Sequence, residues 1–473
     1  MKHIFKYIVE KIIVWEAQLV LKKYKPGIVA ITGSVGKTST KDAIGTALAG
    51  IFAGGAADVR MSEKSFNSDI GVALSVLGLP NGWYNPFRWL VNFVEGFLLA
   101  VFTFQYPRWL VLEIGADRPG DIGRVTKWIK PDIVTLTRIP DVPVHVEFFP
   151  SIDALVSEKG QLVAALRPEG VLVVNADDDR IVALANTIAG KKITYGFSAG
   201  AMVRVSNEEI IYAPREFSDF AVPTGMRFRL EYGGGASLPV AISNVLGRQH
   251  VYPVIAAFAT ALAVTEDIKR KEHSDIRFNP LKVAEGLAEY APTPGRMRLV
   301  PGMRGTTIID DSYNASPIAV AAGLHVLEAI QAPGRKIAVL GDMLELGDYS
   351  SAEHRKVGEH VAAIAAKAVP LPTDAQQKIP NNVSVLLVAV GVRMRAAAES
   401  ALNAGMDESA VLQFDTSREA GRYLAEELQP GDIIFVKGSQ SMRMERVTEE
   451  LMEHREQAQN LLVRQDSVWK KKK

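Results

Sequence analysis

The stretch AITGSVGKTSTKD, residues 30–42, sets Gly33, Gly36, Lys37 and Thr38 between an apolar run and a helix-prone one. Glycines at a strand-to-helix turn free backbone N–H groups to point at phosphates, and the following helix adds its positive end. Lys37 is then placed to neutralise β- and γ-phosphates and the Thr38 hydroxyl to ligate Mg²⁺, so the loop predicts ATP binding. The alternative is a plain glycine turn. The loop is also short at its front: Ile31 stands where the general phosphate-loop pattern has its first glycine.

A site that transfers a phosphoryl group needs oxygen ligands for its metal and further positive charge for the transition state. Glu113 ends the apolar run WLVLEIG, at the strand end where sheet enzymes place ligands. Asp117 and Asp121 follow closely and serve equally well as surface carboxylates or helix caps. Lys159 lies in PSIDALVSEKGQLVAALR. If Ser151 caps a helix there, Ile152, Leu155, Val156, Leu162, Val163 and Leu166 form its apolar stripe, and Lys159 falls on that stripe. A lysine so placed must be paired, neutral or modified. A neutral amine can capture CO₂ as a carbamate, a carboxylate able to bind Mg²⁺; a lysine snorkelling to the helix edge is the other reading.

The elements that must position these residues alternate. From Lys25 onward short apolar strands (GIVAITG, WLVLEIGAD, PDIVTLTRI, GVLVVNADD, KKITYGF) are separated by helical stretches, which predicts a mainly parallel sheet covered by helices. Residues 201–243 read as irregular and β-rich. A helix-prone run, VYPVIAAFATALAVTEDI, leads to YAPTPGRMRLVPG, whose prolines and glycines suggest a domain junction. A second alternating series follows, from GTTIIDDSYNASP to GDIIFVKGS. The fold class is therefore α/β: a central phosphate-loop ATPase domain with a mainly parallel sheet, plus a smaller Rossmann-like C-terminal α/β domain. The expected boundaries are 1–24 for an N-terminal amphipathic helix, 25–294 for the central domain, 295–450 for the C-terminal domain, and 451–473 for a helical or frayed basic tail.

With 473 residues, 48% of them apolar and 23% charged, the chain has the size of two or three domains and the composition of a soluble protein. A net charge of +1 gives no sign of nucleic-acid binding, and zero cysteines exclude disulfides, a zinc ribbon and a thiol nucleophile. In the opening helix Ile4, Phe5, Ile8, Ile12, Trp15 and Leu19 form the expected apolar stripe. In residues 87–104 Arg88, Asn92 and Glu95 line one side, which argues against a bilayer span. Both stretches are expected to pack on their own protein, with an interfacial membrane helix as the alternative.

TGSVGKTSTKD, NSDIGVALSVLGL, LVLEIGADRPGDI, HVEFF followed by SEKGQL, VVNADDD, PGRM, DDSYNASP, VLGDMLELG and VKGSQSMRME stand in the order of the Mur ligase motifs. Over residues 26–450 the chain resembles this family, which joins amino acids or dipeptides to the cell-wall precursor. It is most similar to the branch that adds D-alanyl-D-alanine to UDP-N-acetylmuramoyl-tripeptide. The resemblance implies a cytoplasmic ATP-dependent ligase in which an acceptor carboxylate is phosphorylated and the acyl phosphate is then attacked by an amine. It implies nucleotide contacts from Gly33, Ser34, Gly36, Lys37, Thr38 and Ser39, with Arg296 and Asp311 from the later domain. Two Mg²⁺ ions are implied, held by Thr38, Glu113, His145 and a carbamylated Lys159. Lys37, Glu113, His145 and Lys159 would be catalytic. Asn67 and Ser68 would lie near the acceptor peptide, and Lys437, Gly438 and Ser439 near the incoming dipeptide. The last domain is expected to close on the central one before reaction.

Two departures from the family pattern bear on substrate. Only one helix precedes Gly33, where the family has a uridine-binding domain, so a partner protein supplying that function or contact with the inner face of the membrane is expected. The family's GRHNVYN, which positions adenine, reads GRQHVYP at residues 247–253. The rival expectation is a Mur-like amide ligase acting on a lipid-linked precursor or a poly-glutamate chain at the membrane surface. No nucleic-acid partner is expected.

Overall fold

The computed structural model describes residues 2–52, 55–62, 66–82, 85–102, 104–140, 148–215, 220–272, 277–368, 383–466 and 469. Its elements run α1 (Lys2–Tyr24), β1 (Gly27–Thr32), α2 (Lys37–Ala49), β2 (Val59–Met61), α3 (Asp69–Leu77), α4 (Pro86–Val101), β3 (Trp109–Glu113), α5 (Asp121–Thr126), β4 (Ile133–Leu136), α6 (Ile152–Ala164), β5 (Val171–Asn175), α7 (Asp179–Ala185) and β6 (Lys191–Gly196). Then come β7 (Val203–Pro214), β8 (Ala221–Tyr232), β9 (Ala236–Ser243), α8 (Arg248–Glu272) and α9 (Pro280–Ala288). The later series is β10 (Arg298–Gly302), β11 (Thr306–Asp311), α10 (Pro317–Ala329), β12 (Lys336–Gly341), α11 (Ser350–Lys367), β13 (Val385–Val390), α12 (Arg395–Asn403), β14 (Val411–Phe414), α13 (Ser417–Glu427), β15 (Ile433–Lys437), α14 (Glu445–Leu451) and α15 (Ala458–Leu461).

The first sheet is ordered β2-β3-β1-β4-β5-β6-β7-β8-β9, and the pairings from β2 through β7 are parallel. Parallel strands need cover on both faces and therefore read as continuous apolar runs. The central ones obey this: every residue of β3, β4 and β5 is buried. The connection is also made by side chains, as Thr260 of α8 bonds Thr135 of β4 at 3.0 Å and the Tyr195 hydroxyl donates to the Leu136 carbonyl at 2.8 Å. β7, β8 and β9 have 12, 12 and 8 residues; they are regular strands, where the sequence reads as irregular. β9 alternates buried and exposed residues along most of its length, the period-two pattern of a strand with one wet face.

The second sheet is ordered β10-β11-β15-β12-β13-β14. β10 is antiparallel to β11 and the other pairings are parallel. β10 falls within the stretch that reads as a junction, because its Pro301 and Gly302 mask a strand of edge type.

Two compact units result: residues 1–207, 228–240 and 251–291 form one, and residues 208–227, 241–250 and 292–473 the other. The core of the first includes Ile28, Ala30, Leu110, Leu112, Val134, Leu136, Leu155 and Leu162. The second is built on Ile308, Ile337, Val339, Leu386, Val388, Ile434 and Val436. Past residue 450 the described residues form short helical pieces and one isolated bridge, from Met452 to Gly302. The side chain of Arg464 there is buried, donating to the Ser312 carbonyl at 3.1 Å and to Glu445 at 2.9 Å.

Two helical stripes differ from expectation. Among the described side chains of α1 the buried ones are Val9, Ile13, Glu16, Ala17 and Val20, whereas Ile8 and Trp15, both on the expected stripe, are exposed; the side chains of Ile4 and Phe5 lie outside the described set. In α4 the only buried residues are Trp89, Asn92 and Gly96. Asn92, which shares a side of the helix with Arg88 and Glu95, is fully buried and donates to the Pro80 carbonyl at 2.8 Å. Gly96 lets Glu16 approach so closely that a Cβ there would lie 2.3 Å from its Oε2. A small residue on α4 and a carboxyl on α1 thus select the packed faces over the more apolar ones.

Candidate active site

β1 delivers the chain into the phosphate loop, and the loop's shape depends on two glycines. Gly33 has φ +150, and a Cβ on it would sit 1.9 Å from the Thr137 hydroxyl just past β4. Gly36 has φ +85 and is the N-terminal cap of α2, a left-handed conformation that glycine adopts without strain. The Arg138 carbonyl accepts the Ser34 N–H at 2.7 Å and the Val35 N–H at 3.3 Å. Thr137 and Arg138 thus brace the loop from 100 residues away in sequence, and no local motif announces them.

Two lysine side-chain nitrogens meet at one carbonyl in this loop. Lys37 Nζ donates to Gly33 O at 3.0 Å and Ser34 O at 3.4 Å, and Lys159 Nζ donates to Gly33 O at 2.9 Å. Lys159 comes from α6, which Ser151 caps by accepting the Ala154 N–H at 3.1 Å. The buried stripe of α6 includes Leu155, Lys159, Leu162 and Val163, so the lysine lies where its spacing predicts. Burial, helped by the Lys37 charge, holds the Lys159 amine well below the ordinary lysine range, with Glu158 and Asp117 opposing. A buried neutral amine is nucleophilic. Next to it Glu158 is engaged, accepting the Gly120 and Ile122 N–H groups at 2.9 and 2.8 Å.

Glu113 pairs in register with Ile31 and so ends its strand beside the loop entry. It is buried at 2% exposure, and its Oε2 has no hydrogen-bond partner among the described residues; the Thr32 and Ser34 hydroxyls are in the same condition. A buried anionic oxygen left unpaired is costly. A hard cation beside it would satisfy it, so this set of oxygen donors fits Mg²⁺. Thr38 is half-buried in the first turn of α2 and Ser39 is buried there. Asn67 packs on the strand end that carries Glu113: its carbonyl accepts the Gly115 N–H at 3.1 Å, and a Cβ on Gly115 would lie 2.7 Å from its Nδ2. Ser68 is the exposed cap position of α3 and makes no side-chain cap bond. Asp121 caps locally, accepting the Asp117 and Arg118 N–H groups at 3.0 and 2.8 Å. His145 lies outside the described residues.

In the second unit the predicted residues also converge. Lys437 ends β15 and is buried. Its Nζ donates to Asp311 Oδ2 at 2.5 Å and to Asn314 O at 2.9 Å. Asp311, ending the neighbouring β11, also accepts the Met297 N–H at 3.2 Å. Burial pushes the Asp311 carboxyl up and the Lys437 amine down, and their mutual attraction opposes both shifts. The Arg296 guanidinium lies over the Tyr313 ring at 4.2 Å. Gly438 runs tight against the Gly341 backbone, where a Cβ would come within 3.1 Å of the Gly341 Cα. The Ser439 hydroxyl accepts the Leu344 N–H at 2.8 Å, and its own N–H donates to Asp342 O at 3.0 Å. Ser439 thus ties the GDMLELG loop to the end of β15.

His354 supports that loop from α11. Its Nε2 accepts the Met343 N–H at 3.1 Å while its Nδ1 lies 2.6 Å from the Ser350 carbonyl, which fixes the neutral tautomer with the proton on Nδ1. In the GRQHVYP segment His250 is buried and bonded to the Arg296 backbone, and burial pushes its imidazole down to about 3. It is a neutral packing residue rather than an exposed base contact. The buried Gln249 Nε2 has no partner among the described residues.

Two family models match the chain: the Mur ligase middle domain over residues 95–261 and the Mur ligase, glutamate ligase domain over residues 295–440. The UDP-N-acetylmuramoyl-tripeptide–D-alanyl-D-alanine ligase of Mycobacterium tuberculosis (strain ATCC 25618 / H37Rv) is 29% identical over 434 residues, covering 90% of this chain and 72% of that protein. The enzyme of the same name from Bacillus subtilis (strain 168) is 24% identical over 437 residues, covering 92% and 78%. Among solved structures, MurF from Acinetobacter baumannii superposes with TM-score 0.68 at 24% identity over 94% of this chain and 80% of that one. MurF ligase from Thermotoga maritima in complex with ADP gives 0.67 at 21% identity over 93% and 83%. These two likenesses establish the fold.

Proposed function

The chain belongs to the Mur ligase family, and on that premise we propose that it adds D-alanyl-D-alanine to UDP-N-acetylmuramoyl-tripeptide at the expense of ATP. The observation that carries the chemistry is the meeting of Lys37 and buried Lys159 on the Gly33 carbonyl, one strand from a Glu113 oxygen that has no partner among the described residues. The choice of substrates follows the names of the relatives that match across nine-tenths of the chain.

A carboxylate is a poor acylating agent at neutral pH. On this reading the acceptor's terminal carboxylate attacks the γ-phosphorus of ATP, the bond to the β-phosphate oxygen breaks, and ADP leaves. The amine of D-alanyl-D-alanine then attacks the acyl phosphate carbonyl; the amide forms, inorganic phosphate leaves, and the amine gives up a proton to solvent. Lys37 and the loop N–H groups would hold the transferred phosphoryl group in line and spread its charge. Arg296 and Asp311 are assigned to the nucleotide, Lys437, Gly438 and Ser439 to the incoming dipeptide, and Asn67 and Ser68 to the acceptor peptide.

Mg²⁺, two ions on this reading, would be held by Thr38 and Glu113 and by His145 and carbamylated Lys159, and supplies charge neutralisation at the phosphates. The low-pKa amine of Lys159 supports the carbamate, because only a neutral amine adds CO₂. Carbon-13 NMR after equilibration with labelled bicarbonate should show a carbamate signal that Lys159→Ala lacks; identical spectra would remove the carbamate from the scheme.

The test of the reaction is phosphate release. ATP with UDP-N-acetylmuramoyl-tripeptide and D-alanyl-D-alanine should give turnover that stops when either peptide is withheld and falls at least about a thousand-fold in Lys37→Ala. Equal release without the dipeptide would contradict amide ligation. A lipid-linked acceptor is the second reading, favoured by the apolar residues that α4 exposes; release seen only with that acceptor would select it. The reaction would take place in the cytoplasm, where ATP and the acceptor are found.

A further inference from the structure

The outer faces of α1 and α4 are apolar in a way that the ligase chemistry does not use. α4 exposes Phe87, Leu90, Val94, Phe97 and Val101 at 72, 58, 52, 50 and 54%. Their steps of three and four residues put them on one line along the helix. α1, which packs against α4, exposes Tyr7, Ile8 and Trp15. The two helices are tied together at their C-terminal ends, where the Tyr24 hydroxyl bonds the Phe102 carbonyl at 3.2 Å and Lys23 Nζ bonds it at 2.5 Å. Exposed apolar surface of this extent marks a site of association.

Charge says what covers it. Lys11, Lys22, Lys23 and Lys25 are exposed along α1 and just beyond it, opposed by half-buried Glu10, while Glu16 is buried. On α4, Arg88 and Glu95 cancel in an ion pair at 2.9 Å. The chain as a whole carries only +1, against these four exposed lysines. A second copy would bring lysines against lysines. An anionic surface with an apolar interior meets both requirements, and Trp and Tyr beside lysines are the side chains that settle at a lipid headgroup boundary.

We propose that α1 and α4 dock this protein onto the surface of a bilayer containing anionic lipid, with the line from Phe87 to Val101 inserted among the acyl chains and the α1 lysines on the headgroups. The helices lie on the membrane and do not cross it. α4 has 16 residues, below the roughly 20 that a span needs. Among the described residues the one helix long and apolar enough to span is α8, whose apolar window is 83% buried. The proposal deepens the location in the reading above and leaves its chemistry aside.

The full-length protein is mixed, without ATP or acceptor, with vesicles of phosphatidylcholine alone or with about one-third phosphatidylglycerol, and sedimented at low and high salt. Binding to the anionic vesicles is expected, at least about ten-fold stronger than to neutral ones and weakened by salt. Leu90→Glu with Phe97→Glu should lose about ten-fold or more with an unchanged melting curve, since both residues are exposed. Lys11→Glu with Lys22→Glu should lose the preference for anionic lipid. Absence of wild-type binding, or equal binding by the Leu90/Phe97 variant, would overturn the proposal. So would light scattering that shows a wild-type dimer broken by that variant, which would give the face to a second copy. Ligase turnover in solution is measured separately, so failure of either reading leaves the other standing.

Discussion

At the scale of single residues, the candidate site depends on contacts too close to tolerate change. Gly33→Ala places a methyl group on the Thr137 hydroxyl. Such overpacking should cost about 1–3 kcal/mol, read as a lower melting temperature together with weaker nucleotide binding. Gly33→Ala with Thr137→Ala should recover part of both; no recovery would mean that the clash is not the cause. Lys159→Ala should abolish turnover, by about a thousand-fold or more if a charged group at the phosphates is lost, with partial rescue by small carboxylates. Full activity in that variant would refute its assignment. The glycines, Lys37 and Thr38 were legible because a phosphate loop is written in consecutive residues. Lys159 was legible because a cation on an apolar stripe breaks the period of its helix. Thr137 and Arg138 were not, since sheet topology alone brings the end of β4 beside the loop. His354 was hidden for a related reason: it acts through a backbone group of the GDMLELG loop, which leaves no residue-type signature.

At the scale of elements, the parallel strands were readable from apolar runs, and the faces of α1 and α4 were not. Periodicity ranks faces by apolarity, and here the packed faces hold Glu16, Asn92 and Gly96 while Phe, Leu, Val and Trp side chains face outward. Glu16 gives this packing a pH dependence. Its Oε2 has no partner among the described residues, and burial pushes its carboxyl up to about 7. A carboxyl whose folded value lies above its unfolded value of 4.5 binds its proton more tightly when folded. The stability from that proton is fully present below about pH 4.5 and is lost as pH rises through 7. Glu16→Gln keeps the neutral form at every pH. It should leave stability near pH 4 unchanged and raise it by about 1–2 kcal/mol at pH 8, after allowance for water reaching the carboxyl. Urea denaturation at the two pH values reads the difference, and an equal effect at both would mean that Glu16 is not the titrating group.

At the scale of the molecule, two α/β units each gather a set of the expected residues at strand ends: the phosphate loop, Lys159 and Glu113 in one, Lys437 and Asp311 in the other. The order of the units follows from the alternation of strands and helices. That residues 208–227 and 241–250 group with the later unit could not be read, because long strands β7 to β9 carry the chain across the division and pairing partners are not encoded locally. On the proposed reading both sets serve one reaction, and that is the central claim. Its most direct measurement is the mass of the product formed from ATP, UDP-N-acetylmuramoyl-tripeptide and D-alanyl-D-alanine. The account predicts the UDP-linked pentapeptide, with one ADP formed for each amide bond. Unchanged tripeptide, from protein that binds ATP and is offered both substrates, would contradict it.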